Sequence, residues 1–193
     1  MKKDIILAGV GGQGILSIAT VIGEAALNQG WYLKQAEVHG MSQRGGDVQS
    51  NLRLSSEPIH SDLIARGSAD LIISLEPMEA LRYLQYLSPE GWIVTNSMPF
   101  LNIPNYPNID EVHNHVRAIQ NHVLLDVERL AKEAGAPVQA ANMVLLGAAI
   151  PMLGIDHDLV IDGVKRVFAR KGEAIVNTNI AAIEAGYAIS SKL

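Results

Sequence analysis

The 193-residue sequence contains no cysteine, and this absence removes a whole set of chemistries. Without thiols the chain cannot form disulfides, supply a thiolate nucleophile, or ligate zinc or an iron–sulfur cluster through sulfur. Aromatic residues are scarce, at 5%, and only 18% of the residues are charged. Any iron–sulfur cluster that the function requires must therefore be carried by another protein.

Long hydrophobic runs and an excess of positive charge are absent as well. No apolar run reaches the roughly 18 residues needed to cross a bilayer, and the glycine-broken start is too short for a signal peptide. The net charge of −5 lacks the basic footprint of nucleic-acid-binding proteins. The C-terminal Ser191, Lys192 and Leu193 match a peroxisomal import signal, but such tripeptides are frequent by chance. We therefore expect a cytoplasmic protein that binds neither nucleic acid nor a membrane.

What is present is a high apolar content, 48%, arranged in short runs that alternate with helical patterns. The patterns predict strands at 5–8, 31–38, 48–55, 69–77, 91–97 and 122–126, and helices at 15–28, 78–87, 127–135, 141–153, 158–172 and 175–188. Residues 61–67 are predicted as a short helix or link, and residues 98–115, with their prolines and asparagines, as a surface loop. The alternation predicts a single Rossmann-like α/β domain over residues 1–193, with a mostly parallel sheet covered by helices on both faces.

The stretch GVGGQGIL joins the first predicted strand to the first helix and fulfils the pattern G-x-G-x-x-G with Gly9, Gly11 and Gly14. Missing side chains let backbone N–H groups approach a phosphate at a helix N-terminus. Gly12 and Gln13 complete the candidate cofactor-binding turn, and the Gln13 amide is expected to project toward the ligand. A tight turn without any ligand would explain the same glycines.

A second glycine-rich stretch, HGMSQRGGD, follows the second predicted strand. Its hydroxyl, amide, guanidinium and bare N–H groups could form an anion cradle; these groups belong to Ser42, Gln43, Arg44, Gly45 and Gly46. A solvated surface loop is the alternative.

Two other sets of residues are candidates for binding or catalysis. Glu37 is the candidate acidic residue for the ribose of a dinucleotide such as NAD. His39 adjoins the second glycine-rich stretch, but no set of Ser, His and Asp can be assembled around it. His113, His115 and His122 lie close in sequence, but their spacing fits no common metal motif. We predict no metal site and assign no catalytic residue.

In combination these stretches resemble a known family. GVGGQGIL, EVHGMSQRGGDVQSNLRLS, SADLIISLEPMEALR, NMVLLGA and NIAAIEAGY follow one another as in the gamma-type domain of 2-oxoacid:ferredoxin oxidoreductases, from Asp4 to Tyr187. EVHGMSQRGG most resembles the branch formed by the beta subunits of indolepyruvate ferredoxin oxidoreductases.

The resemblance implies a subunit of an oxidoreductase that converts a 2-oxo acid to an acyl-coenzyme A. A larger partner subunit is implied to hold thiamine diphosphate and the iron–sulfur clusters, and to pass electrons to ferredoxin. Coenzyme A could bind at a site shared between the subunits, and the isolated chain is expected to be inactive. A free-standing NAD(P)-binding oxidoreductase and a non-catalytic docking subunit remain open alternatives.

Overall fold

The computed structural model of the protein describes residues 1–39, 45–101 and 103–193. Six strands are found in these ranges: β1 (Lys2–Val10), β2 (Tyr32–His39), β3 (Asp47–Ser55), β4 (Ala69–Ser74), β5 (Leu87–Asn96) and β6 (His122–Leu125). The same ranges hold seven α-helices: α1 (Ile15–Asn28), α2 (Pro77–Arg82), α3 (Ile109–Arg117), α4 (Val127–Glu133), α5 (Ala141–Leu153), α6 (His157–Phe168) and α7 (Glu173–Ser190).

The strands form one sheet in the order β2-β3-β1-β4-β5-β6. β1, β4, β5 and β6 pair in parallel, whereas β3 is antiparallel to both of its neighbours. Since β2 and β1 both run opposite to β3, five of the six strands point the same way. The predicted mostly parallel α/β sheet is confirmed.

Side chains that alternate along β1 serve two different cores. Ile5 and Leu7 belong to a large apolar cluster that includes residues of α1 and α4 to α7. Ile6 and Ala8 belong to a smaller cluster with residues of β4, β5 and α2. Helices therefore cover both faces of the sheet, as a parallel sheet with crossover helices requires.

Helix α5 is the centre of the large cluster, with all of its residues except Pro151 buried. It packs closely on α7 at two glycines. A Cβ atom added to Gly147 would lie 2.0 Å from the carbonyl oxygen of Ile183, and one added to Gly186 would lie 1.9 Å from that of Val144. Gly147 belongs to the stretch NMVLLGA and Gly186 to NIAAIEAGY, so the close backbone contact between the helices explains why each stretch has glycine at this position.

Two predictions of local structure were wrong. The helix predicted at 78–87 ends at Arg82, is followed by a 3-10 turn at Leu84–Tyr86, and Leu87 already begins β5. Leu81, Leu84 and Leu87 therefore share no helix face; Ala80 and Tyr83 are the buried residues instead. Leu87 is extended because it pairs with Ala69 across a register shift in the sheet.

The loop predicted at 98–115 contains the first part of α3. Asn108 caps this helix, since its side-chain oxygen accepts hydrogen bonds from the backbone N–H groups of Asp110 and Glu111 at 2.8 and 3.4 Å. Val112 and Val116 bury one face of the helix. Asparagine followed three residues later by glutamate is a recognised start signal, which the abundance of proline and asparagine before it obscured.

Other bounds agree with the prediction more closely. Helices α1 and α5 have the predicted bounds, Gly30 adopts the left-handed conformation after α1, and Asp126 caps α4 by accepting from the Arg129 N–H at 2.9 Å. Residues 61–67 form a link.

In the described part of the chain, no single helix has the length and apolarity to span a membrane; only α4 and the stretch Val138–Leu153, bent by 119°, satisfy these criteria as a pair.

Candidate functional site

A cleft of about 500 Å³ opens at the carboxyl ends of the parallel strands. Gly12, Gln13 and Gly14 line it after β1, Leu75 after β4, and Asn96 at the end of β5. The opposite wall comes from the starts of α4, α5 and α7 and from the 3-10 turns that precede the last two. Ligands of open α/β sheets bind at this edge, so the cleft is the candidate site.

The first glycine turn presents backbone atoms, and few side-chain atoms, to the cleft. Gly12 and Gly14 have φ values of +103° and +87°, which residues with a side chain rarely adopt. A Cβ on Gly14 would also lie 2.7 Å from Nδ2 of Asn142, whereas one on Gly12 would meet nothing within 4 Å. Helix α1 begins directly after Gly14, with no side chain capping its first N–H groups. These N–H groups carry the partial positive charge that favours an anion.

The Gln13 amide does not project freely toward a ligand, contrary to the expectation from the sequence. Its Oε1 accepts a hydrogen bond from the N–H of Val10 at 2.8 Å, and its Nε2 donates to the carbonyl of Leu75 at 3.2 Å. The side chain thus joins the ends of β1 and β4. Gly9 leaves room for this arrangement, because a Cβ there would lie 2.9 Å from the Gln13 Oε1.

The second glycine-rich stretch meets the first. Gly11 N–H donates to the carbonyl of Gly46 at 2.8 Å, and Gly45 N–H donates to the carbonyl of Gly11 at 3.4 Å. The antiparallel strand β3 causes this contact, because it starts at the edge where β1 ends. Ser42, Gln43 and Arg44 lie outside the described residues, so their proposed role in an anion cradle stays a prediction.

The far wall of the cleft supplies polar groups that the sequence analysis missed. Asn142, 8% exposed, donates from Nδ2 to the carbonyl of Gly14 at 3.1 Å and so ties α5 to the glycine turn. Asn179, Thr178 and Lys171 line the cleft beside it. The ammonium of Lys171 lies 5.3 Å from the centre of the Phe168 ring. An asparagine at the start of an otherwise apolar helix was the available signal for Asn142.

Asn96 connects the cleft to the chain that follows β5. Its Nδ2 donates to the carbonyls of Leu75 and Met98 at 3.4 and 3.3 Å, and its Oδ1 accepts from the N–H groups of Met98 and Val127 at 3.2 and 3.3 Å. With 5% exposure, this one amide joins the ends of two strands, the start of α4 and the segment that begins at Ser97.

A buried carboxylate lies next to this segment. Glu76, 1% exposed, accepts hydrogen bonds from the N–H of Glu79 at 2.8 Å, the N–H of Phe100 at 3.4 Å and the hydroxyl of Tyr106. Burial and the hydrogen bond to Glu76 raise the pKa of Tyr106. The tyrosine therefore remains a neutral donor to the carboxylate.

On the same face of the sheet, Tyr83 lies near the second glycine-rich stretch. Its hydroxyl lies 3.5 Å from Oδ2 of Asp47, the first residue of β3. Burial, followed by the charges of Asp47 and Glu79, raises the pKa of Tyr83 to about 12. Glu79 in turn accepts hydrogen bonds from Arg82, which raise the pKa of the guanidinium.

The remaining candidates lie away from the cleft. Glu37 is on the edge strand β2, and β3 separates it from β1, so two strand spacings of about 4.8 Å lie between them. Glu37, the candidate for a ribose, is thus not adjacent to the glycine turn. His113, His115 and His122 each bond to a backbone carbonyl at 2.7 Å. Among the described residues, no group of three or more histidines and acidic residues could hold a metal ion.

Comparison with known proteins shows which family the chain belongs to. Residues 4–189 match the family model described as pyruvate ferredoxin/flavodoxin oxidoreductase. Indolepyruvate oxidoreductase subunit IorB of Pyrococcus horikoshii is 41% identical over 157 residues, which cover 77% of each chain. IorB of Archaeoglobus fulgidus is 34% identical over 199 residues, covering 97% of this chain and 94% of that one.

A solved structure shares the fold over its whole length. The keto/oxoacid ferredoxin oxidoreductase gamma subunit from Geobacter sulfurreducens superposes with a TM-score of 0.72 at 23% identity, covering 99% of both chains. The resemblance noted from the sequence motifs is thereby confirmed: the chain belongs to the pyruvate ferredoxin/flavodoxin oxidoreductase family.

Proposed function

We propose that this chain is the cluster-free subunit of a thiamine diphosphate-dependent indolepyruvate:ferredoxin oxidoreductase. A larger subunit would hold the thiamine and the clusters, and the assembled complex would convert an aryl pyruvate and coenzyme A to an acyl-coenzyme A and carbon dioxide while reducing ferredoxin. The subunit names of the relatives support this assignment. The absence of cysteine agrees with clusters in another chain. We place the complex in the cytoplasm.

The contribution proposed for this chain is one wall of a shared active site, at the cleft. The observation that carries it is the donor set there: the uncapped start of α1 after the glycine turn, together with Lys171 on the opposite wall. Both favour an anion. Val138, Phe168 and Ile175 add apolar surface to the same cleft. A phosphate-bearing ligand with a long, partly apolar arm, such as coenzyme A, fits this combination.

The described lining of the cleft offers few groups for acid–base chemistry. Glu128 is its one carboxylate among the described residues, and the amides of Gln13, Asn96 and Asn142 are used in hydrogen bonds to the backbone. The chain's own residues would thus bind and orient a ligand, and the chemical steps would depend on the partner subunit. The isolated chain should accordingly fail to reduce a viologen dye when given indolepyruvate and coenzyme A.

Substituting Lys171 in the assembled complex tests the shared wall. If Lys171 contacts a phosphate, Lys171→Ala should raise the KM for coenzyme A about tenfold, the cost of one charge-assisted hydrogen bond, with little change in kcat. Lys165→Ala is the matched control, because Lys165 lies on α6 and pairs with Asp162 at 2.8 Å. Unchanged kinetics in Lys171→Ala would contradict the ligand wall at this residue.

Arg44→Ala extends the test to the second glycine-rich stretch. The sequence predicts that this guanidinium meets a phosphate or carboxylate, so its loss should also raise an apparent KM. If both variants keep full activity and affinity, the chain is a docking subunit without a ligand-binding wall. Nicotinamide binding by the isolated chain would instead favour an NAD(P)-binding oxidoreductase.

A further inference from the structure

A short segment beside the cleft exposes apolar side chains and carries no charge. We define the apolar arm as residues 98–101 and 103–107. In it Met98 is 48% exposed, Phe100 41%, Leu101 72% and Ile103 38%. Residues 91–109 include no Asp, Glu, Lys or Arg. Cores of protein interfaces are depleted in charge and enriched in methionine and aromatic residues, so the composition of the arm matches an interface core.

Hydrogen bonds attach the described residues of the arm to the rest of the domain near both of its ends. Asn96 bonds to both the N–H and the carbonyl of Met98, and Ser97 N–H donates to the carbonyl of Leu125 at 2.8 Å. The Glu76 carboxylate then accepts from the N–H of Phe100 and the hydroxyl of Tyr106. A fixed apolar surface loses little conformational entropy when it binds, which favours association.

The position of the arm indicates which protein covers it. Asn96 and Leu75 both line the cleft, and the arm begins two residues after Asn96. Because the Asn96 side chain is hydrogen-bonded to the backbone of Met98, the arm starts at the edge of the cleft, and a protein that completes the cleft from this edge would contact the start of the arm. Four exposed apolar side chains within six residues form a contiguous patch, and contiguous apolar patches mark interaction sites more than scattered ones do.

From this continuity we infer that the apolar arm docks against an uncharged, apolar patch on the larger, thiamine diphosphate-bearing subunit. The inference rests on the proposed function, since it takes that subunit as the protein that completes the cleft. Leu101, the most exposed apolar side chain of the arm, would lie in the contact. Phe100 would pack beside it, with its backbone held by Glu76.

The test is reconstitution of the complex. The large subunit is separated from this chain in the purified native complex and titrated with wild-type or variant chain, with binding followed by calorimetry. Leu101→Glu should raise the Kd at least tenfold, because a charge would be buried in an apolar contact. Leu27→Glu is the matched control: Leu27 is 55% exposed on α1, and this variant should bind as the wild type does.

Leu101→Ala serves as a second variant that introduces no charge, and it should weaken binding by a smaller factor. Thermal melting of each chain checks that the fold is retained. Wild-type affinity in both Leu101 variants would overturn the docking role of the arm while leaving the proposed function intact. Failure of the wild-type chain to bind the large subunit would remove the proposed function, and the inference with it. A self-associated free chain that Leu101→Glu dissociates would assign the arm to a second copy and overturn the inference.

Discussion

The two faces of the sheet are stabilised by different means. On one face, α5 is buried on nearly all sides and meets α7 through backbone contact at Gly147 and Gly186. On the other face the apolar cluster is small, and hydrogen bonds between polar groups provide much of the stabilisation. There, Glu76 holds the apolar arm and Tyr83 approaches Asp47. The comparison teaches that shape complementarity positions the cleft wall, whereas buried hydrogen bonds position the arm.

The largest expected effect comes from adding one methyl group between α5 and α7. In Gly186→Ala the new Cβ would lie 1.9 Å from the carbonyl oxygen of Val144, so the two helices must separate. We expect a loss of about 3 kcal/mol in the free energy of unfolding, at the upper end of the range for overpacked cores. Urea denaturation measures it, and a loss below about 1 kcal/mol would mean that the helices pack less closely.

A smaller effect is expected from the buried carboxylate of the opposite face. Glu76→Gln replaces one acceptor oxygen by an NH₂ group that must face a donor, which should cost about 1.5–3 kcal/mol. Glu133→Gln is the control, because Glu133 and Arg129 form an exposed pair that contributes about 0.5 kcal/mol or less. Equal stability of the two variants would show that Glu76 does not hold the arm. Proteolysis within the apolar arm, residues 98–101 and 103–107, should also be faster in Glu76→Gln.

The polar face should also show its own pH dependence. Since the pKa of Tyr83 is raised to about 12 from the ordinary tyrosine value of 10.0, the unfolded chain loses this proton first as pH rises. The stability that Tyr83 contributes is therefore fully present below pH 10 and is lost as pH rises to about 12. Urea denaturation from pH 9 to 12 should show a shallower decline in Tyr83→Phe than in the wild type. Parallel curves would contradict the raised pKa.

The smallest expected effect has the opposite sign and is the matched control for Gly186. A Cβ added to Gly23, on α1, would meet Leu33 at 3.5 Å, an ordinary van der Waals distance. Gly23→Ala should thus raise the free energy of unfolding, by up to about 1 kcal/mol, since alanine favours the helix more than glycine does. Destabilisation of both variants would indicate that α1 also packs through its backbone.

Sequence reasoning predicted the elements whose signals are local. Helix α1 starts after a glycine turn and ends before Gly30, and α5 is a long apolar run with clear ends, so both have the predicted bounds. The prediction from sequence failed at 78–87, where leucines at helical spacing belong to a helix, a 3-10 turn and a strand. Pairing with β4 decided that boundary, and a pairing partner is not visible in a local pattern.

The candidate site divides in the same way. The glycine turn and its place between a strand and a helix could be predicted from the sequence, because positive φ and close backbone approach require glycine. The orientation of Gln13 and the arrival of Asn142 and Lys171 at the cleft depend on residues more than 60 positions apart. The insertion of β3 between β1 and β2 depends on pairs of β1 and β3 residues that are 37 to 53 positions apart. Tertiary structure alone decided these, since hydrogen bonds and packing across such separations form only when the whole sheet and its helices have assembled.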